Sequence, residues 1–158
     1  MAMKEESTDF VLQKILGSKT MVDIDKVVEN SNASFNKTFS NFFNEYLAAN
    51  PTLKLAEIIK DSDIDKTYAY QMINGTKRNL SRDYVIALCY AARMNLDEVN
   101  HALIYTKSGQ LYSKTNRDAY LIFAFSKNRK DHRSLVSELN FSISERGHEP
   151  LKISKGSN

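Results

Sequence analysis

The chain has 158 residues and a formal net charge of +3, from 22 Lys and Arg against 19 Asp and Glu. This length suits one hydrophobic core with a small appendage and excludes two full-sized domains. A single cysteine excludes a disulfide framework, and the three histidines lie too far apart for the spacing of a zinc site. We therefore expect no metal, no cofactor and a reducing, cytoplasmic setting.

The sequence also bears on targeting and source. No apolar run approaches the roughly 20 residues needed to cross a bilayer, and the first residues lack the basic-then-apolar order of a secretory signal. We expect a soluble protein without a membrane partner. The 15 Lys and 14 Asn beside seven Arg and five Gly are common where AT-rich codons prevail, and they favour a bacterial or phage origin.

Two short amphipathic helices are predicted in an N-terminal extension, residues 1–33. They are expected over 8–16, where Gly17 ends the apolar pattern, and over about 23–30. A polar link at 30–34 then separates this extension from the main domain. The residues expected on the apolar face of the first helix are Phe10, Leu12, Ile15 and Leu16.

A main domain of five helices is predicted over residues 34–106. Its first helix begins at Ser34 and stops before Pro51, and its aromatic stripe is expected to face the core rather than a ligand. Ser81 and Asn95 are placed to cap the last two helices. The expected stripe consists of Phe35, Phe39, Phe42, Phe43, Tyr46 and Leu47. The inward-facing residues of the last two helices are expected to be Val85, Leu88, Cys89, Ala92, Leu96, Val99 and Leu103.

Residues 107–158 are predicted to form a C-terminal helical extension that packs on the main domain and frays at its end. Its apolar run of seven residues fits a buried helix or a strand. We predict a helix because Asn116 can cap it and no second strand-like run is present to pair with it. Another helix is predicted at about 131–139, with Leu135, Val136 and Leu139 as its apolar residues, and Phe141 and Leu151 are expected to pack back on the core.

The charge is unevenly distributed along the chain. Residues 1–33 carry four basic and six acidic groups, whereas residues 107–133 carry seven basic and two acidic groups. A basic sector of this kind indicates a polyanionic partner, but a solvated surface explains it equally well.

The most informative stretch runs from Leu55 to Arg78 and is typical of two short helices joined by a tight turn. Asp65 can cap the second helix, and Asn74 and Gly75 suit the left-handed conformation that ends helices. This is the outline of a helix-turn-helix, whose second helix lies in a DNA major groove. The residues expected to fill the contact between the two helices are Ile58, Ile59, Ile64, Ala69 and Met72.

On these residues the chain resembles the lambda-repressor/Cro-like helix-turn-helix family, also called the xenobiotic-response-element family, over about residues 39–106. The sequence departs from the family pattern in having Ile59 for Ala, Ala69 for a branched aliphatic residue and Asp63 for Gly. The first two changes offset each other in volume, and Asp enters the left-handed region more readily than most residues. The resemblance implies an all-α, five-helix, lambda-repressor-like bundle with short helical extensions.

The resemblance also implies a transcriptional regulator, usually a repressor and often a homodimer on double-stranded DNA. Helix 65–74 would read the major groove, where Gln and Asn pair with adenine, Thr meets a thymine methyl and Lys reaches guanine or phosphate. The expected base contacts are Lys66, Thr67, Tyr70, Gln71 and Asn74. The expected phosphate contacts are Tyr68, Lys77, Arg78 and Arg82. Packing alone explains Tyr68 and Tyr70 equally well.

An enzyme and a protein-binding module are the alternatives. No activated nucleophile, glycine-rich phosphate loop or suitably partnered histidine indicates an enzyme. The stronger alternative is a helical protein–protein interaction module, antitoxin-like or an adaptor, that reuses the helix-turn-helix fold. A regulatory protein partner is compatible with both readings. A salt titration of binding affinity distinguishes DNA binding from protein binding. Affinity for duplex DNA falls steeply with salt, whereas affinity for a protein need not.

Overall fold

The computed structural model of the protein describes residues 13–17, 19–25 and 37–154. All regular elements in these ranges are helices, with no strand among them, so the predicted all-α class is confirmed. Contacts divide the chain into two compact units, Met1–Lys37 and Thr38–Asn158. No helix in the described ranges is long and apolar enough to cross a membrane.

The described part of the first unit contains two short helical stretches, at residues 13–16 and 21–25. Gly17 follows the first stretch, as expected, and its N–H donates to a carbonyl in that stretch over 2.9 Å. Leu16, which was expected on an apolar face, is 75% exposed. The remainder of both predicted helices and the polar link after them lie outside the described residues. The residues of the predicted face that lie outside the described ranges are Phe10 and Leu12.

Seven helices make up the described part of the second unit. They are α1 (Phe39–Ala49), α2 (Leu55–Ser62), α3 (Lys66–Asn74), α4 (Arg82–Ala91), α5 (Leu96–Tyr105), α6 (Asn116–Ser126) and α7 (Val136–Glu145). Helix α4 lies at the centre of the bundle and packs against α2, α5 and α7. Helix α3 packs against α1 and α2, whereas α6 packs against α5 and α7.

The first helix begins later than predicted. It starts at Phe39, because the Thr38 hydroxyl accepts the Asn41 N–H over 3.1 Å and caps the helix there. The predicted start at Ser34 is therefore wrong, since residues 37 and 38 are not helical. The aromatic stripe is buried as expected at Phe39, Phe42, Phe43 and Tyr46, while Leu47 is half-buried and Phe35 lies outside the described residues.

Helices α4 and α5 begin at the predicted caps. The Ser81 hydroxyl accepts the Tyr84 N–H, and Asn95 forms a reciprocal capping box with Glu98. Every predicted inward-facing residue of the two helices is buried except Leu96, which is half-buried. Cys89 is fully buried, and burial raises the pKa of its thiol, so it packs as a small hydrophobic side chain.

The C-terminal region is helical as predicted, but its details differ. Helix α6 follows Thr115, so the predicted cap at Asn116 is wrong by one residue. Helix α7 begins at Val136 instead of near residue 131, because residues 128–134 are held in a turn by side-chain contacts. Phe141 is 65% exposed rather than packed on the core. Val136 and Leu139 of α7 are buried as predicted, and Ile143 continues the same face at helical spacing, whereas Leu135 is half-buried.

Four ion pairs join the C-terminal region to the bundle, and a fifth lies next to them within the bundle. We call these five pairs the charged seam. Arg82 meets Asp118 at 2.7 Å, and the next residue of α4, Asp83, meets Arg117 at 2.7 Å. The other pairs of the seam are Lys130–Glu98 at 2.8 Å, Arg133–Asp61 at 2.5 Å and Arg93–Glu57 at 2.5 Å. The Arg93 guanidinium also donates to the Lys130 carbonyl.

The charged seam changes the interpretation of the basic sector at 107–133. Three of its seven basic groups are neutralised by acidic side chains of α2, α4 and α5, and Arg129 pairs locally with Asp131. The excess of positive charge in this segment therefore holds the segment to the bundle.

Ile59 in α2 and Ala69 in α3 offer a test of how the two helices pack. Both side chains are buried, at 6% and 0% exposure. Ile59→Ala should leave a cavity and lower the free energy of unfolding by about 2–5 kcal/mol, and Ala69→Val should overpack the contact at a cost of about 1–3 kcal/mol. The double variant should lose less than the sum, because the added branch occupies the vacated volume. Denaturant unfolding of all four proteins measures the coupling, and strict additivity would show that the two side chains share no space.

Candidate nucleic-acid interface

The turn between α2 and α3 is closed by three local interactions. Asp63 adopts the left-handed conformation, with φ 62°, as the sequence predicted. The buried Ser62 hydroxyl donates to the Ile59 carbonyl over 2.6 Å and accepts the Ile64 N–H over 3.2 Å. Asp65 caps α3 by accepting the Tyr68 N–H over 3.1 Å. All of the predicted contact residues between the two helices are buried: Ile58, Ile59, Ile64, Ala69 and Met72.

The end of α3 is fixed against α1. Gly75 has a φ of 83°, and a Cβ added there would lie 3.3 Å from Ser40, so both the conformation and the space favour glycine. The Ser40 hydroxyl and the Asn44 side-chain amide both donate to the Ile73 carbonyl, over 2.6 and 2.9 Å. Helix α3 is thus anchored at both ends, and its orientation is set by α1 and α2.

The outer face of α3 carries the five side chains predicted to contact bases. Lys66, Thr67, Tyr70 and Asn74 are exposed, and Gln71 is half-exposed. Gln71 lies in a shallow cleft of about 360 Å³ whose other lining residues are Thr76, Lys77, Arg78 and Asn79.

Asn74 differs from Gln71 because its side chain is already hydrogen-bonded within the chain. Its side-chain oxygen accepts the Thr76 N–H over 2.8 Å. The side-chain amide of Gln71 has no hydrogen-bond partner in the described part of the chain. The side-chain amide of Gln71 therefore has both its donor and its acceptor available to a base.

Tyr68 and Lys77 form a layer beside this cleft. The Tyr68 ring lies on the Tyr84 ring with centroids 4.2 Å apart, and the Lys77 Nζ lies 4.4 Å above the Tyr68 ring. Burial, followed by the neighbouring Tyr84, raises the pKa of Tyr68. Of the predicted phosphate-contacting residues, Lys77 and Arg78 remain exposed, with no ion pair inside the described ranges.

Arg82 has a structural role that the sequence did not reveal. Its guanidinium makes two hydrogen bonds to Asp118, at 3.1 and 2.7 Å, and two more to the carbonyls of Gly109 and Gln110, both at 3.1 Å. These four contacts involve every nitrogen of the guanidinium, so Arg82 is held within the fold. The sequence did not indicate this role, because the partner Asp118 lies 36 residues away along the chain.

Two further features were not predicted from the sequence. The Asp65 N–H donates to the Ser154 carbonyl over 2.8 Å, so the C-terminal segment reaches the start of α3. Away from α3, the helices α6 and α7 form a groove of about 820 Å³. Its apolar wall includes Tyr120 and Phe123, and its rim carries Glu138, Lys127 and Arg146. Local periodicity gave no signal for either feature, because both depend on how distant segments meet.

Comparisons of the chain with protein-family models, with curated proteins and with solved structures give no match.

The role of Arg82 leads to a test of stability. Asp118 is only 4% exposed. Burial alone raises the pKa of Asp118, but the hydrogen bonds from Arg82 and the Tyr112 N–H outweigh it and hold the pKa below its usual value. Arg82→Ala should therefore lower the free energy of unfolding by about 2–3 kcal/mol at neutral pH, because it leaves a buried carboxylate without its cation.

The same variant should show a specific pH dependence. The lowered pKa of Asp118 adds stability above the unfolded-state pKa, and this stability is lost as the pH falls through the folded-state pKa. The difference in the free energy of unfolding between wild type and Arg82→Ala should therefore shrink as the pH falls through the folded-state pKa of Asp118, because a protonated carboxyl needs no cation. Arg78→Ala is the matched control and should change stability by less than about 0.5 kcal/mol. Equal losses in the two variants at neutral pH would contradict the structural role of Arg82.

Proposed function

We propose that the protein is a sequence-specific, double-stranded DNA-binding transcriptional regulator that reads the major groove with α3. The outer face of α3 carries the proposal. It presents polar and aromatic side chains of the types that read base edges. Beside it lie Lys77 and Arg78, exposed cations suited to phosphate contact that form no ion pair within the described part of the chain.

The dimensions and charge of α3 support the proposal. An α-helix with its side chains is about 10–12 Å across, which matches the width of about 12 Å of the B-DNA major groove, and the nine residues of α3 make it about 14 Å long. The helix itself contains no acidic residue. The nearest acidic side chain, Asp65, is used as the cap through its bond to the Tyr68 N–H. Little negative charge therefore opposes the approach of a polyanion along this face.

We further propose that the regulator is a repressor and a homodimer. The sign of regulation follows from the family resemblance alone. For the dimer, the α6–α7 groove provides an exposed aromatic surface at Tyr120 and Phe123, on helices that do not pack against α3. Its lining includes the acidic Glu138 and the cations Lys127 and Arg146. A surface with both signs of charge can pair with its own copy across a two-fold axis.

The same groove favours the alternative function, a helical protein–protein interaction module that does not bind DNA. The two proposals differ in what α3 contacts.

Selection of duplexes from a random pool tests the two proposals directly, because a DNA-binding protein enriches one motif and a symmetric dimer enriches a two-fold repeat of that motif. Absence of any enriched motif at low salt would contradict the proposed function and leave the interaction module.

Gln71→Ala should remove discrimination at one or two base pairs of the selected site while leaving the fold intact. The expected loss is about 1–3 kcal/mol at those positions, because a paired hydrogen bond to the base edge disappears. Competition binding with single-base variants of the site measures it. Gln110→Ala, at an exposed glutamine outside α3, is the matched control. An unchanged sequence preference in Gln71→Ala would show that this face does not read bases. Asn74→Ala is a weaker test, since it also removes the acceptor of the Thr76 N–H.

Lys77→Ala and Arg78→Ala should instead weaken binding to all duplexes alike. Each should reduce the slope of log affinity against log salt by about one unit, because one phosphate contact and its released counterion are lost. The preferred site should not change. Lys114→Ala removes an exposed cation from the loop before α6 and should leave the slope unaltered. A constant slope in both test variants would mean that neither side chain contacts phosphate.

A further inference from the structure

Residues 151–154, which we call the C-terminal strap, connect three parts of the second unit. Leu151 is buried, and its N–H donates to the Asn140 side chain of α7 over 2.8 Å. The Lys152 N–H donates to Asp83 over 2.8 Å, and the Ser154 N–H donates to the Tyr84 hydroxyl over 2.9 Å. The strap therefore runs from α7 across the first turn of α4.

The strap ends on the recognition helix. The Ser154 carbonyl accepts the N–H of Asp65, the residue that caps α3, over 2.8 Å. Within the described ranges this is the only acceptor for that N–H. An N–H at a helix start has no partner inside its own helix, so a hydrogen bond from another segment fixes it in place.

Two side chains of α4 that accept hydrogen bonds from the strap, Asp83 and Tyr84, are fixed by contacts with other helices. Asp83 accepts two hydrogen bonds from the Arg117 guanidinium of α6, at 2.7 and 3.2 Å, so its carboxylate cannot turn away from Lys152. The Tyr84 ring lies on the Tyr68 ring of α3. One side chain of α4 thus contacts α3 with its ring and the strap with its hydroxyl.

We infer that the C-terminal strap is a positioning element for α3, tying the start of the recognition helix to α4, α6 and α7. Resting on the proposed function, the strap sets how the side chains of α3 meet the base edges, and the C-terminal helices thereby influence DNA reading. The segment makes this contact through its backbone, so the role needs no particular side chain at positions 152 and 154.

Two truncated chains separate the strap from the residues beyond it. A chain ending at Ser154 keeps all four hydrogen bonds, whereas a chain ending at Leu151 keeps the buried leucine and loses the bonds of Lys152 and Ser154. Amide hydrogen exchange, measured without DNA, should show the Asp65 N–H exchanging about tenfold faster or more in the shorter chain. The amides of α4 should remain protected in both.

Point variants of the full chain provide the second arm. Tyr84→Phe keeps the ring on Tyr68 but removes the acceptor of the Ser154 N–H, so Asp65 exchange should again rise. Tyr112→Phe, at an exposed tyrosine of the loop before α6, is the control and should leave exchange unchanged. Lys152→Ala removes the charge but keeps the backbone N–H, and it should behave as wild type.

DNA binding then tests the positioning role. The chain ending at Leu151 and Tyr84→Phe should bind the selected site about five- to tenfold more weakly, while affinity for random duplex, set by phosphate contacts, stays within about twofold in Tyr84→Phe. Equal exchange rates of the Asp65 N–H in the two truncated chains would overturn the inference that the strap fixes the start of α3. Faster exchange with unchanged site affinity would overturn its positioning role, as would a full loss in Lys152→Ala. If wild type binds no duplex at all, the proposed function fails and the positioning role fails with it, whereas the exchange data still decide whether the strap fixes α3.

Discussion

The ion pair between Arg82 and Asp118 is the contact on which the docking of the C-terminal region depends. A carboxylate that is 4% exposed is costly unless a cation and donors surround it. Arg82 supplies two hydrogen bonds and the Tyr112 N–H a third. Because Arg82 is the first residue of α4, the helix α6 is fixed to the same turn that follows the candidate recognition helix.

The neighbouring residues extend this constraint toward α3. Asp83 binds Arg117 of α6 and also accepts the backbone N–H of Lys152. Tyr84 contacts the C-terminal strap with its hydroxyl and α3 with its ring. Three consecutive residues at the start of α4 therefore connect α6, the strap and α3. The C-terminal region is part of the same hydrogen-bonded body as α3 and α4, and it is not an appendage.

Two surfaces remain available outside these contacts, and their chemistry differs. The outer face of α3 is polar, with a free amide at Gln71 beside exposed cations, and it suits a polyanion with hydrogen-bonding edges. The α6–α7 groove is aromatic and bordered by both signs of charge, and it suits another protein surface. The two surfaces lie on different helices, which is compatible with simultaneous use of both.

The sequence by itself determined the helices and most of their ends. Asp65, Ser81 and Asn95 cap the helices that follow them, and the core positions of α3 and α4 were read from helical spacing, because caps and periodicity act over a few residues. Only the tertiary structure decided the role of charges whose partners lie far away. Arg82 pairs across 36 residues and Arg133 across 72, and Ser154 meets Asp65 at the start of α3. No local pattern encodes such pairs, since the folded backbone alone brings their atoms within hydrogen-bonding distance.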